Sequence, residues 1–291
     1  MSVAQKVTNI RETLAKSSEG VALIGWFVYW SMADVSIEHS DLLTRLTALG
    51  LNKDAAPQIR AKSAFIRATE EVAKARKARH QKIIDDSNRC IYVIVSTQVD
   101  PVNVDVAFTV EHKLIFNKQD NTISVADTSD VGLEVVALAQ KYAETYYSDQ
   151  LRETVLRLLS HHCQFITVRD RGGIYFVPGV HEDELKKIQK LVDQFPGCSV
   201  ETVGIADMAE ARKSMWKSLV GEVTHEIGLM KADLHDATPD MSDSSMKIRM
   251  DRYAALREKV ENYEIVLNGT ASELKGELAM LGRSLAAKLG E

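Results

Sequence analysis

From Met208 to Glu291 the chain holds one proline, Pro239, and its apolar residues recur every three or four positions. No other feature restricts the fold as much, because that spacing lays one apolar stripe along a helix. Met215, Leu219, Val223, Ile227, Met230 and Leu234 mark a first long helix. Ile248, Tyr253, Leu256, Val260, Tyr263, Leu267, Leu274, Leu278, Leu281 and Leu285 mark a second. Between them "HDATPDMSDSS" carries the proline and a set of capping serines and aspartates, so the chain reverses there. The spacing predicts a long antiparallel helical hairpin, coiled-coil-like from Tyr253 to Leu267. Leu219, Val223, Met230 and Leu234 should face Leu256, Val260, Tyr263 and Leu267. At 1.5 Å per residue the second helix, about 45 residues, reaches roughly 65–70 Å and outruns the first. The surplus leaves Leu274, Leu278, Leu281 and Leu285 needing cover from the body or from another subunit. Those four leucines are the candidate oligomer or partner contacts. Gly269 weakens this arm locally, by about 1 kcal/mol relative to alanine.

The preceding 207 residues alternate between strand and helix patterns. Val7, Ile10 and Leu14 predict a short helix at the start. "GVALIGWFVYW" is short, continuous and rich in β-branched and aromatic residues, which marks a buried strand. Trp26 and Trp30 share one face with Val28 between them, and with Phe65 they are assigned to the core. Leu42, Leu43, Leu46 and Leu49 predict a helix that Gly50 terminates. Pro57 opens a second helix that continues into the basic run "KARKARHQK". "CIYVIVSTQVD", "VNVDVAFTVEHKLIFN" and "TISVAD" read as an antiparallel meander, with clear alternation from Val102 to Val106. Helix returns from Ser129 to Ser160, with a break near Ser148. "CQFITVRDRGGIYFVP" reads as a hairpin, in which Gly172 and Gly173 would supply the left-handed turn. "HEDELKKIQKLVDQF" is an amphipathic helix, and "PGCSVETVGIAD" ends in a strand. The expected fold is α+β: a mostly antiparallel sheet body with flanking helices over residues 1–207, divisible near 128–160, and the helical hairpin over 208–291.

Composition limits the function classes. A formal net charge of −5 over 291 residues provides no global attraction to nucleic acid or anionic lipid. No apolar run approaches the ~20 residues that cross a bilayer, and the first residues lack the pattern of a secretory signal. Cys90, Cys163 and Cys198 are odd in number and widely spaced. They fit free thiols in a reducing cytoplasm, or a host cytoplasm for a viral protein.

A search for chemistry finds little. There is no phosphate-binding loop, dinucleotide fingerprint or nucleophile elbow. His161 and His162 are adjacent, so on a helix they point about 100° apart and cannot easily grip one metal. His225 and His235 lie ten apart, not four. His181, Glu182, Asp183 and Glu184 have the composition of a helix first turn, where acids offset the positive dipole end. No cofactor or metal is expected. The concentrated positive feature, Lys74, Arg76, Lys77, Arg79 and Lys82 on the presumed basic helix, is the candidate phosphate contact.

Two stretches carry a resemblance. "AFIRAT" (Ala64–Thr69) and "GGIYFVP" (Gly172–Pro178), followed by a long charged helical C-terminus, resemble an uncharacterised domain family of bacteria and their phages. That family has no established activity, so the resemblance implies no site residue. Three functional readings follow from the residues. The first is a non-enzymatic interaction or assembly protein whose helical hairpin binds a helical partner or a second copy. The second is a nucleic-acid-associated protein using the basic run. The third is an enzyme without a local motif, with His181, Glu182, Asp183 and the pair His161/His162 as first suspects. The lack of a catalytic constellation favours the first.

Overall fold

The computed structural model describes residues 22–99, 106–125, 130–168, 173–235, 243–269 and 271–290. The expected helix over residues 1–17, the alternation from Val102 to Val106, Gly172 and the tip around Pro239 lie outside them. In chain order the elements are β1 (Leu23–Ser31), β2 (Ser36–Glu38), α1 (His39–Ala48), α2 (Ala61–Ala75), β3 (Arg79–Asp85), β4 (Arg89–Val99), β5 (Val106–Asn117) and β6 (Ile123–Val125). There follow α3 (Asp130–Glu144), β7 (Thr145–Tyr147), α4 (Ser148–Cys163), β8 (Ile166–Thr167), β9 (Tyr175–Pro178), α5 (Glu182–Val192), β10 (Ser199–Ala206), α6 (Ala209–His235), α7 (Asp243–Leu267) and α8 (Ser272–Gly290). The fold is α+β with antiparallel sheets, as its patterns predict.

The chain divides into two compact units. One comprises residues 1–33 with 155–291, the other residues 34–154. The C-terminal helices therefore share a unit with β1 and β8–β10, and the boundary at residue 207 read from the sequence does not separate them. One junction, between Thr154 and Val155, lies inside the interval 128–160.

In the first unit the sheet order is β10-β1-β9-β8. Phe27 pairs with Val203 on one side and Phe176 on the other. Ile24, Phe27, Phe176 and Ile205 join the apolar cluster of the C-terminal helices. Trp26, Val28 and Trp30 occupy the other face with Val177 and Val200, and α5 contacts β9 and β10. Trp30 stacks on Tyr175 with centroids 4.8 Å apart. Trp26 and Trp30 are only half-buried, whereas Phe65, in the second unit, is fully enclosed. Gly25 is required where β1 meets β9, because a Cβ there would lie 2.3 Å from the Val177 carbonyl oxygen.

The helices α6 and α7 form the expected hairpin, with Leu219, Val223, Met230, Leu234, Leu256, Val260, Tyr263 and Leu267 in one buried cluster. At Asn268 the second arm stops. Asn268 takes a left-handed φ of 52°, and the Gly269 amide donates to the Glu264 carbonyl oxygen at 3.2 Å. This is a Schellman-type closure of a helix end. A Cβ on Gly269 would lie 2.7 Å from the Trp216 ring, so the turn sits hard against α6. The chain then runs back as α8, and a third helix joins the first two.

A half-buried polar network ties this bundle to the sheet. Glu222 on α6 lies 2.5 Å from the Lys259 ammonium on α7 and accepts from the Thr167 amide at 2.7 Å. Lys259 also donates to the Phe165 carbonyl, and Tyr263 donates to that of Gln164 at 2.9 Å. The 164–167 turn is thus held by charge-assisted hydrogen bonds, about twice as strong as neutral ones.

In the second unit the strands run β3-β4-β5-β6 as an antiparallel meander. Cys90, Tyr92, Ile94, Leu114 and Phe116 on its inner face meet Phe65, Ala68 and Val72 of α2 and Val131, Val135 and Tyr142 of α3. The short strands β2 and β7 pair beside it, Ser36 opposite Tyr147. Gly50, at φ 68°, closes α1 as expected: Leu51 donates to the Leu46 carbonyl oxygen and Gly50 to that of Thr47.

Candidate functional site

The presumed basic helix is a correction. Helix α2 ends at Ala75, and Lys77 takes a left-handed φ of 55° while Ala78 donates back to the Ala73 carbonyl oxygen at 2.9 Å. From Arg79 the chain is strand β3, paired antiparallel with β4. Lysine, arginine and alanine favour helix locally, but pairing with β4 overrides that preference. The five candidate phosphate contacts are consequently spread over a helix end, a turn and an edge strand. Arg76 is held by Glu134 at 2.6 Å, and Lys82 lies 4.0 Å from Asp85. Lys74, Lys77 and Arg79 are exposed, but the five do not share one helical face.

The four candidate contact leucines are also accounted for within the chain. Leu274, Leu278, Leu281 and Leu285 are at most 4% exposed and belong to the cluster that α8 builds with α6 and α7. The expectation of a bare surplus rested on one continuous second helix. The reversal at Asn268 removes that surplus, so no second subunit is needed to cover them.

Of the residues first suspected of catalysis, the fold brings His162 and His181 together beside Glu184. His162 Nδ1 lies 3.4 Å from Glu184 Oε2, and Lys187 holds the other carboxylate oxygen at 2.6 Å. Burial lowers the pKa of both histidines, and Glu184 opposes that shift in each. Burial also pushes the neighbouring Cys163 thiol up to about 12. The group links α4, the turn before α5 and α5 itself. Among the described residues no set of three acids, histidines or cysteines is placed to hold a metal ion. Hairpin β8–β9 forms, with Val168 donating to the Ile174 carbonyl oxygen. A Cβ on Gly173 would meet no atom within 4 Å. The turn residues 169–172 lie outside the described residues.

The surface that calls for an explanation lies in the second unit, where β4 and β5 outrun their neighbours. Strand β3 accompanies β4 only as far as Val95, opposite Arg79, and β6 accompanies β5 only over Leu114–Phe116. Beyond those points β4 and β5 pair only with each other among the described residues, through Ser96↔Thr109, Thr97↔Phe108, Gln98↔Ala107 and Val99↔Val106. The four β4 residues beyond Val95 carry this ribbon roughly 13 Å outward. Phe108 is 63% and Val110 59% exposed, and the intervening Thr109, which points to the opposite face, is exposed too. Two large apolar side chains therefore meet solvent on one face, and the other face is solvated at Thr109. A two-stranded ribbon without a packed face is at best marginally stable in water. An uncovered apolar edge is also a template for pairing with another strand. The span from Ser96 to Glu111 contains Asp100, Asp105 and Glu111 and no lysine or arginine. Nothing in that charge pattern attracts phosphate.

Sequence reasoning recognised these strands but not the ribbon. A strand pattern shows which residues alternate, and it does not show how far a neighbour extends alongside. The available signal was sixteen residues without a basic gatekeeper around "VAFTV".

No helix among the described residues is long and apolar enough to cross a membrane. No curated protein and no solved structure matches the chain. Residues 23–290 match DUF6744, a family of unknown function, and the chain belongs to that family.

Proposed function

We propose that the chain is a non-enzymatic assembly protein that associates with a second copy of itself through the β4–β5 ribbon. The observation that carries this reading is the exposure of Phe108 and Val110 on a ribbon without neighbouring strands among the described residues. A second copy suits it for two reasons. An antiparallel strand edge is self-complementary about a two-fold axis, so one surface supplies both halves of the contact. The apolar and acidic composition of the ribbon selects protein over nucleic acid. The buried free thiols of Cys90, Cys163 and Cys198 support a reducing compartment, the cytoplasm of a bacterium or of a phage's host. The motif resemblance supports the same microbial or phage setting.

Sedimentation across the micromolar range tests the proposal. The wild-type chain associates reversibly, and Phe108→Asp with Val110→Asp weakens association at least tenfold while far-ultraviolet circular dichroism stays unchanged. A wild-type chain that is monomeric throughout that range, or a double variant that associates as tightly, overturns it. A salt-sensitive complex with duplex DNA that is lost in Arg79→Ala would restore the nucleic-acid reading instead.

A further inference from the structure

Beside the ribbon's own sheet, the second unit contains a cleft of about 380 Å³ lined by Asp34, Ser36, Arg67, Tyr147, Ser148 and Arg152, with Val35 and Asp149 completing the wall. Four elements converge on it. The segment leading into β2 supplies Asp34 to Ser36, α2 supplies Arg67, β7 supplies Tyr147, and the first turn of α4 supplies the rest.

Arg67 is the unusual group. Its guanidinium carbon lies 4.0 Å from the ring centroid of Tyr147 and 4.6 Å from that of Tyr142. Both rings hold it in place by cation–π attraction, which grows as water is excluded. Yet among the described residues Arg67 makes no ion pair and no hydrogen bond, although it is half-buried. The other arginine differs. Arg152 is neutralised by Asp149 at 2.8 Å, and Tyr142 donates to Glu71. The cleft therefore presents one immobilised guanidinium whose donors are uncommitted. The α4 N-terminus lies in the same wall. The Gln150 side chain accepts from the Tyr147 amide at 3.0 Å, and Ser148 Oγ accepts from the Val35 amide at 3.1 Å. The first-turn amides that follow point out of the helix end, where partial positive charge gathers.

We propose that this cleft binds the oxyanion group, carboxylate or phosphate, of a small molecule, with Arg67 as its bidentate anchor. A planar guanidinium held against two aromatic rings keeps donors free, and that fork matches carboxylate and phosphate geometry. Asp34, exposed at the rim and without a partner among the described residues, offers an acceptor for a hydroxyl or ammonium group on the same ligand. The lining carries two arginines and two aspartates. The site thus suits one anionic group with a donor beside it and disfavours a polyanion such as a nucleic acid strand.

The test is titration of the full chain with inorganic phosphate and, separately, with acetate, each against chloride at matched ionic strength. The readout is the Arg Nε–Hε signals by nuclear magnetic resonance. The Arg67 signal shifts and saturates with one oxyanion or both, and their relative affinities distinguish a phosphate from a carboxylate site. Arg67→Gln weakens binding at least tenfold. Arg152→Gln, which leaves the tyrosine stack untouched, weakens it severalfold and keeps the chain folded. An Arg67 signal that does not move, or moves equally with chloride, overturns the proposal. So does an Arg67→Gln chain that binds as tightly as wild type. Should that variant not fold, the wild-type titration decides by itself.

Discussion

Replacing Leu278 with alanine separates two roles for the α8 leucines, core and contact surface. Leu278 is 2% exposed in the cluster shared with α6 and α7. Truncation removes three carbon groups, about 2.4 kcal/mol of transfer free energy at ~0.8 kcal/mol each. The cavity left behind adds to that, and measured Leu→Ala losses in such positions reach ~2.7–5 kcal/mol. A loss of about 3–4 kcal/mol follows, a large part of the ~5–15 kcal/mol that a domain possesses. In urea unfolding, with a slope of ~1–3 kcal/mol/M, the midpoint falls by roughly 1–4 M while the slope is kept. Met280 on the same helix is 49% exposed, so Met280→Ala shifts stability by no more than about 0.5 kcal/mol. Sedimentation of Leu278→Ala below its unfolding transition shows the same association as wild type. A loss under about 1 kcal/mol combined with weakened association would place Leu278 at an intermolecular contact and refute the reasoning.

Three further outcomes follow from particular residues. Gly25→Ala drives a Cβ into the Val177 carbonyl oxygen and yields an unfolded or insoluble chain, checked by the yield of soluble protein; normal yield and stability contradict the close approach. Cys163, pushed up to about 12 by burial, and the buried Cys90 and Cys198 resist alkylation at neutral pH until the chain is denatured; mass spectrometry of the labelled native chain is the check. His162 and His181 have folded pKa values below 6.5, so the unfolded chain binds more protons near that pH. Their contribution is fully retained above about pH 6.5 and is lost as pH falls from there toward the folded values. Urea midpoints of the wild type should thus decline faster in that window than those of His162→Gln with His181→Gln; parallel declines count against the assignment.

Where local pattern and tertiary pairing agreed, the sequence was legible. The β-branched run of β1, the Gly50 stop, the break at Ser148 and the apolar stripes of α6 and α7 all appear at their expected places. Where long-range pairing competed with local preference, it was not. The run Arg79 to Lys82 reads as helix and is a strand because β4 lies beside it and His80 stacks on Tyr92 at 5.7 Å. Strands β2 and β7, three residues each, are too short to show a period. Asn268 and Gly269 end α7 in a turn that leaves no room for a Cβ at Gly269, because Trp216, some fifty positions earlier, packs against it. The oxyanion cleft was hidden for the same reason. "AFIRAT" contains Arg67, but its tyrosine partners come from residues 142 and 147. Likewise, the exposure of Phe108 depends on where β3 and β6 stop.

The most direct measurement of the central claim is amide hydrogen exchange followed at two protein concentrations, one below and one above the midpoint of association. Assembly through the ribbon predicts that Ser96–Val99 and Val106–Glu111 exchange rapidly in the dilute sample. Those amides, and no others in the second unit, become protected in the concentrated one. Exchange in the ribbon that is independent of concentration, or protection that appears instead on α8, would contradict the account.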